Sequence, residues 1–184
     1  ILYMVPSLAL MSQTIREWKN DCETEFHAFS ACSDEKVGKR EASKDEFEVT
    51  LNDLAFPATT DAEDLAKQIA KVKDSNMIVV FSTYQSINVI SKAQFEFNLK
   101  EFDLIICDEA HRTTGATLSG GDESQFVKIH SNENIKGVKR LYMTATPRIY
   151  GETAKKKEED GEVALASMDD ESIYGKNLFY RSFG

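Results

Sequence analysis

The sequence predicts an α/β fold built on a mostly parallel sheet, and three observations carry that expectation. Short apolar runs at Ile1–Val5, Met77–Phe81, Phe102–Cys107 and Val138–Met143 alternate with stretches of helical periodicity. Met77–Phe81 and Phe102–Cys107 lack the in–out alternation of a half-solvated strand, so they read as strands covered on both faces. Several of them also end abruptly in polar clusters, and in open α/β sheets the carboxyl edge is where ligands bind.

The totals agree with a single folded unit. A chain of 184 residues is about one domain, and 41% hydrophobic with 29% charged residues is enough apolar material for a real core. No apolar run approaches the roughly 20 residues that span a bilayer, so no membrane partner is expected. The opening ILYMVPSLALM has no basic flank and is broken by Pro6 and Ser7, which argues against a signal peptide. Cys22, Cys32 and Cys107 have neither paired nor metal-ligand spacing and read as buried thiols of a reducing, cytoplasmic compartment. The net charge of −9 argues against this chain alone gripping a phosphate backbone, so any nucleic-acid contact is expected to be local.

In chain order, ILYMV starts as a strand with no capping or turn signal before it, which reads as a piece of a longer polypeptide. Ser7 is placed to cap a helix running to about Lys19 through Leu8, Leu10, Met11, Ile15 and Trp18. Glu25–Ser33 fits a second strand, residues 34–47 a solvated charged segment, and Phe47–Leu51 a short edge strand. Thr59 and Thr60 precede an acidic first turn and a stripe of Leu65, Ile69 and Val72, giving a helix of about 12 to 15 residues. The Met77–Phe81 strand leads into a second amphipathic helix through Val89, Ile90 and Phe95. After Phe102–Cys107, Thr113–Asp122 reads as a Gly/Ser/Thr loop and Gln125–Ile129 as a short helix. Residues 152–172, centred on KKKEEDGE, are expected to be a mobile charged segment, and Asn177–Phe183 a last strand.

Chemistry is expected at three strand ends: Ser82–Thr83 with Gln85, Asp108 through His111, and Thr144 through Arg148. Two adjacent carboxylates at the end of a buried strand are what phosphoryl transfer requires, one for a magnesium ion and one for the attacking water. A lone D-E-x-H would be a weak signal. The buried strand before it, and a second strand ending in T-A-T-P about 35 residues on, make the set specific. Arg112, Arg148 and Lys155–Lys157 read as surface groups and Trp18 as core, while Tyr84 could either stack on a base or pack inside.

With those residues in place, the chain resembles the first RecA-like motor domain of superfamily 2 helicases and translocases, a three-layer α/β fold. DEAH at Asp108–His111 matches motif II, the Walker B element, and TAT at Thr144–Thr146 matches motif III. VPSLALMSQTIREW resembles motif Ia and FSTYQS motif Ib. DEAHRTTG, TATPR and the closing FYRSFG look most like motor subunits of type I and single-chain type I-like restriction enzymes. The resemblance implies ATP and Mg²⁺ as cofactors, with Asp108 holding the ion through water and Glu109 activating the water that attacks the γ-phosphate. It implies that His111, Thr144, Ala145 and Thr146 couple the nucleotide state to a second RecA-like domain. Pro6, Ser7, Ser82, Thr83 and Gln85 would face DNA, expected to be duplex, with nuclease and methyltransferase or specificity components as further partners.

The departure from the family is equally specific. No G-x-x-x-x-G-K-[ST] occurs in the 184 residues, and Gly120–Gly121 is followed by two acids that would repel a phosphate. The expected sheet therefore lacks the Walker A strand, Val138–Met143 should form an open edge, and the isolated chain should not hydrolyse ATP. The alternative reading is a non-catalytic domain that keeps the motor fold as a scaffold or partner-binding module.

Overall fold

The computed structural model describes residues 1–32, 58–73, 76–118, 125–151 and 163–181. Six strands form one sheet: β1 (Leu2–Val5), β2 (Phe26–Ala31), β3 (Ala58–Thr59), β4 (Met77–Thr83), β5 (Phe102–Cys107) and, after a short intervening strand, β7 (Gly137–Tyr142). Their order is β3-β2-β4-β1-β5-β7 and every pairing is parallel. Parallel strands need crossovers, and the helices supply them: α1 (Leu8–Asp21), α2 (Ala62–Ala70) and α3 (Ile87–Glu96).

The side-chain period of two explains the layers. In β1, Leu2 and Met4 join one apolar cluster with Leu65 of α2 and Ile87 and Ile90 of α3. Tyr3 and Val5 point the other way, into a second cluster with Met11 and Ile15 of α1. β1 is completely buried as a result, which is why its sequence is apolar without alternation. Trp18 packs edge-on against Tyr3, Phe26 and Phe81, as its place in the apolar stripe predicts.

Most elements follow the expected pattern, with Ser7 capping α1 by accepting from the Leu10 N–H at 3.3 Å. Five expectations are corrected. Helix α2 has nine residues, and its cap is Asp61, which accepts from Glu63 and Asp64, while Thr59 belongs to β3. The Thr113–Asp122 loop contains strand β6 (Gly115–Leu118), which pairs antiparallel with β8 (Val163–Ala166). The second half of the charged segment carries secondary structure: β8 is followed by a one-turn helix α4 (Glu171–Tyr174) capped by Asp170. Residues 177–181 form no strand, and Leu178, Phe179 and Tyr180 are exposed, with no strand among the described residues paired to them. Finally, Cys22 is exposed at the end of α1, although Cys32 and Cys107 are buried. The expected edge strand at Phe47–Leu51 and the segment at 34–47 lie outside the described residues.

β7 is the outermost strand on its side of the sheet, as expected for Val138–Met143, and Val138 is 60% exposed. Its register is fixed at the start by Gln94 of α3, whose amide accepts from the Lys136 N–H (2.8 Å) and donates to the Lys136 carbonyl (2.9 Å). Gly137 is required there, since a Cβ would stand 2.4 Å from Ile105 Cδ1.

Candidate active site

Because the strands are parallel and in register, β1, β4, β5 and β7 end at the same edge: Val5 pairs with Thr83, Met4 with Cys107, and Cys107 with Tyr142. The segments that leave these strands are thereby brought together. The Asp108 N–H donates to the Met4 carbonyl (2.9 Å) and the Met143 N–H to the Cys107 carbonyl (2.9 Å), so the ladder continues one residue into each motif.

At Glu109 the chain turns sharply. Its backbone is left-handed, with φ 49° and ψ 46°, a conformation that costs a non-glycine residue about 1 kcal/mol or more. The turn is held on both sides: the Glu109 N–H donates to Asp108 Oδ1 (2.9 Å) and the Ala110 N–H to the Met143 carbonyl (2.8 Å). A 3₁₀ turn, Ala110–Thr113, comes next and returns His111 toward the end of β7.

Three oxygens surround one nitrogen of His111. Nδ1 lies 2.9 Å from Thr144 Oγ1, 3.3 Å from Thr146 Oγ1 and 3.2 Å from Glu109 Oε2. The Thr146 N–H donates to Thr144 Oγ1 (3.1 Å), which fixes the T-A-T turn against the ring. Glu109 and His111 are half-exposed, so the carboxylate remains open to solvent on one side.

Asp108 is supported from behind. Tyr84 is fully buried and donates its hydroxyl to the Asp108 carbonyl (2.8 Å). The Tyr3 hydroxyl makes a long 3.5 Å contact with Asp108 Oδ2, and burial, reinforced by that carboxylate, pushes the Tyr3 phenol up to about 12. Sequence reasoning left Tyr84 undecided between stacking and packing and overlooked Tyr3. The position of Tyr84 in the strand-end cluster was visible, but its target, a backbone carbonyl 24 residues away, was not.

An open groove of about 440 Å³ connects the motif II turn to the start of α1, and is lined by Pro6, Ser7, Leu10, Gln13, Glu109, His111 and Arg112. Pro6 and Ser7 therefore share a surface with the catalytic candidates. Ser82 and Thr83 do not: both are buried, Thr83 Oγ1 is bonded to Ser86 Oγ (2.8 Å), and only Gln85 of that cluster is exposed. Both hydroxyls are buried in the turn that starts α3.

A magnesium ion fits this donor set only in part. Asp108 Oδ2 keeps accepting capacity for a metal-bound water, and Glu109 lies next to it. Among the described residues there is no group of three or more His, Cys, Asp or Glu side chains that could enclose a metal by itself. Such an ion would draw its other ligands from a nucleotide and water.

A parallel sheet flanked by helices, ending in a carboxylate pair joined through a histidine to a T-A-T turn, defines a RecA-like motor domain of superfamily 2. The chain belongs to the family of the type III restriction enzyme res subunit, which matches residues 1–149. It is 30% identical over 148 residues to the probable helicase A859L of African swine fever virus, from the Kenya isolate and from the Malawi tick isolate alike. That match covers 80% of this chain and 14% of the viral proteins, so the chain spans only a small part of the relatives' length. Among solved structures, it is similar to a nuclease-deletion mutant of the type ISP restriction-modification enzyme LlaGI in complex with a DNA substrate mimic. The two are 40% identical with a TM-score of 0.67, covering 99% of this chain and 15% of that one. It is also similar to the ATP-dependent type ISP restriction-modification enzyme LlaBIII bound to DNA, at 43% identity and a TM-score of 0.68, covering 95% of this chain and 11% of that one.

Proposed function

We propose that the chain is part of an ATP-dependent DNA translocase or helicase motor, in the first RecA-like domain of a restriction-modification enzyme. The observation that carries this is the junction at His111, where one ring nitrogen meets the motif II carboxylate and both motif III threonines. A scaffold has no use for a half-exposed acid held by a strained turn and tied to a neighbouring strand end.

In this reading Glu109 takes the proton of a water molecule whose oxygen attacks the γ-phosphorus. The bond to the β-phosphate oxygen breaks, and ADP leaves. Asp108 would hold Mg²⁺ through water, and the ion would neutralise charge on the phosphate oxygens. Loss of the γ-phosphate alters the charge facing Glu109. His111 passes that change to Thr144 and Thr146, and Ala145 turns with them, which moves the end of β7 relative to a second RecA-like domain. Pro6, Ser7 and Gln85 face the DNA track, where backbone N–H groups and hydroxyls meet phosphates without reading sequence. The duplex form of the track, nuclease and methyltransferase components, and a cytoplasmic setting belong to the same proposal. So does the domain extent of residues 1–184.

The test is steady-state ATP hydrolysis by the full-length protein with and without duplex DNA. DNA-stimulated turnover that disappears in Glu109→Gln is expected, together with no turnover by residues 1–184 alone. Turnover that survives Glu109→Gln would return the chain to the scaffold reading.

A further inference from the structure

Behind the groove, on the inner side of the Ala110–Thr113 turn, side chains from separate segments meet: His130, Tyr142 at the end of β7, Tyr174 of α4, and Thr113 itself. Their hydrogen bonds have one consistent direction. The Thr113 carbonyl only accepts, so His130 Nε2 donates to it (3.0 Å), and Nδ1 is left to accept from the Tyr142 hydroxyl (2.9 Å). The Thr113 hydroxyl donates to the Ala110 carbonyl (2.8 Å), so it accepts from the Tyr174 hydroxyl (3.1 Å). The three rings pack at centroid distances of 4.9 to 5.4 Å. Arg140 pins the loop that carries His130, donating to the Ile129 and Ile135 carbonyls at 2.7 and 2.8 Å.

The focus of this network is Ala110. Its N–H is held by the Met143 carbonyl and its own carbonyl by Thr113, and it is fully buried. Ala110 lies between Glu109 and His111. Fixing both of its polar groups fixes the directions in which those two side chains leave the backbone.

We infer that His130, Tyr142 and Tyr174 are positioning residues for the hydrolysis proposed above, holding the Ala110–Thr113 turn so that Glu109 and His111 face the groove. The inference rests on that reading of Glu109. It gives the β6–β8 pair a purpose: β8 docks on β6 and delivers α4, and Tyr174 at its end reaches Thr113. Two histidines then bridge the same pair of strand ends, His111 on the open side and His130 behind it. Residues distant in sequence from both motifs take part in the site.

The experiment compares Tyr174→Phe, Thr113→Ser and Thr113→Val in the full-length protein, with Glu109→Gln alongside. Tyr174→Phe keeps the ring and its packing and removes only the hydroxyl. Its kcat for ATP is expected to fall about fivefold, the factor one net hydrogen bond is worth, with KM for ATP unchanged within about twofold. Thr113→Val should show the same split and Thr113→Ser should restore it, because serine keeps the bond to Ala110. Unchanged kcat in Tyr174→Phe and Thr113→Val, with only a lower thermal midpoint, would mean the cluster is structural and would overturn the inference. Full turnover by Glu109→Gln would overturn both this inference and the hydrolysis reading. Turnover lost in Glu109→Gln but untouched in Tyr174→Phe would remove the positioning role alone.

Discussion

Two polar strand ends lie at the same edge of the sheet and have opposite fates. At the end of β4, Ser82 and Thr83 are buried and their hydroxyls are consumed locally, by the Thr83 carbonyl and by Ser86. At the ends of β5 and β7, Asp108, Glu109, His111, Thr144 and Thr146 remain half-exposed or exposed, and His111 meets Glu109, Thr144 and Thr146 across the two ends. The first cluster satisfies the start of a helix. The second leaves acceptors unspent toward a groove. A polar strand end in a parallel sheet is therefore the better candidate site when its groups are satisfied between strands and keep some capacity toward solvent.

The largest expected effect tests that contrast directly. Glu109→Gln should lower ATP turnover of the full-length protein by about 10²- to 10⁴-fold, the usual range for losing a general base, with nucleotide binding retained. Thr83→Val should leave turnover within about twofold in the same assay, and a large loss there would break the comparison. Next in size is the contact that seats β7 beside β5. Gly137→Ala places a Cβ within 2.8 Å of Ile105 Cγ1 as well as close to Cδ1, and Ile105 is fully buried and cannot simply swing away. A cost of about 1 to 3 kcal/mol is expected, visible as faster amide hydrogen exchange in β7. Tyr84→Phe leaves the Asp108 carbonyl without its buried donor, and β5 amides should exchange about 5- to 30-fold faster, equivalent to about 1 to 2 kcal/mol. The smallest effect is a pH dependence. Burial holds His130 below its usual value of 6.5, with Arg140 adding to the shift and the Thr113 carbonyl opposing it. Unfolded chains then bind the proton that the folded one refuses, so stability is full above about pH 6.5 and declines as pH falls from there toward the folded value. Hydrogen exchange of the Ala110–Thr113 turn followed from pH 7 to 5, corrected for intrinsic rates, should show it, and His130→Asn should flatten the trend.

The comparison also marks how far the residues speak for themselves. DEAH after a buried strand and T-A-T after the next were visible because each motif is local, and the strands that carry them announce themselves by mostly apolar runs, interrupted at Asp103 in the first and at Lys139 and Arg140 in the second. Ser7 was readable as a cap for the same reason. Ser82 and Thr83 were expected on the DNA side with their hydroxyls outward, since sequence shows which residues are polar and not which way their hydroxyls turn. Tyr84 could not be assigned, because its partner is a carbonyl on another strand. His130, Tyr142 and Tyr174 gave no sign at all. Nothing in the spacing of 12 residues between the first two, or 44 between His130 and Tyr174, announces a shared contact.

By itself the sequence determined the fold class and the mostly parallel sheet, which rest on periodicity, and the family, which rests on the resemblance of its short motifs. Only the tertiary structure decided which strand ends open onto a groove, that Glu109 sits in a left-handed turn, and that β8 and α4 return to support it. Those outcomes depend on which hydrogen-bonding groups burial leaves without water. A buried group must take its partner from whatever segment the sheet places within about 3 Å, and sheet order is not written in any local stretch.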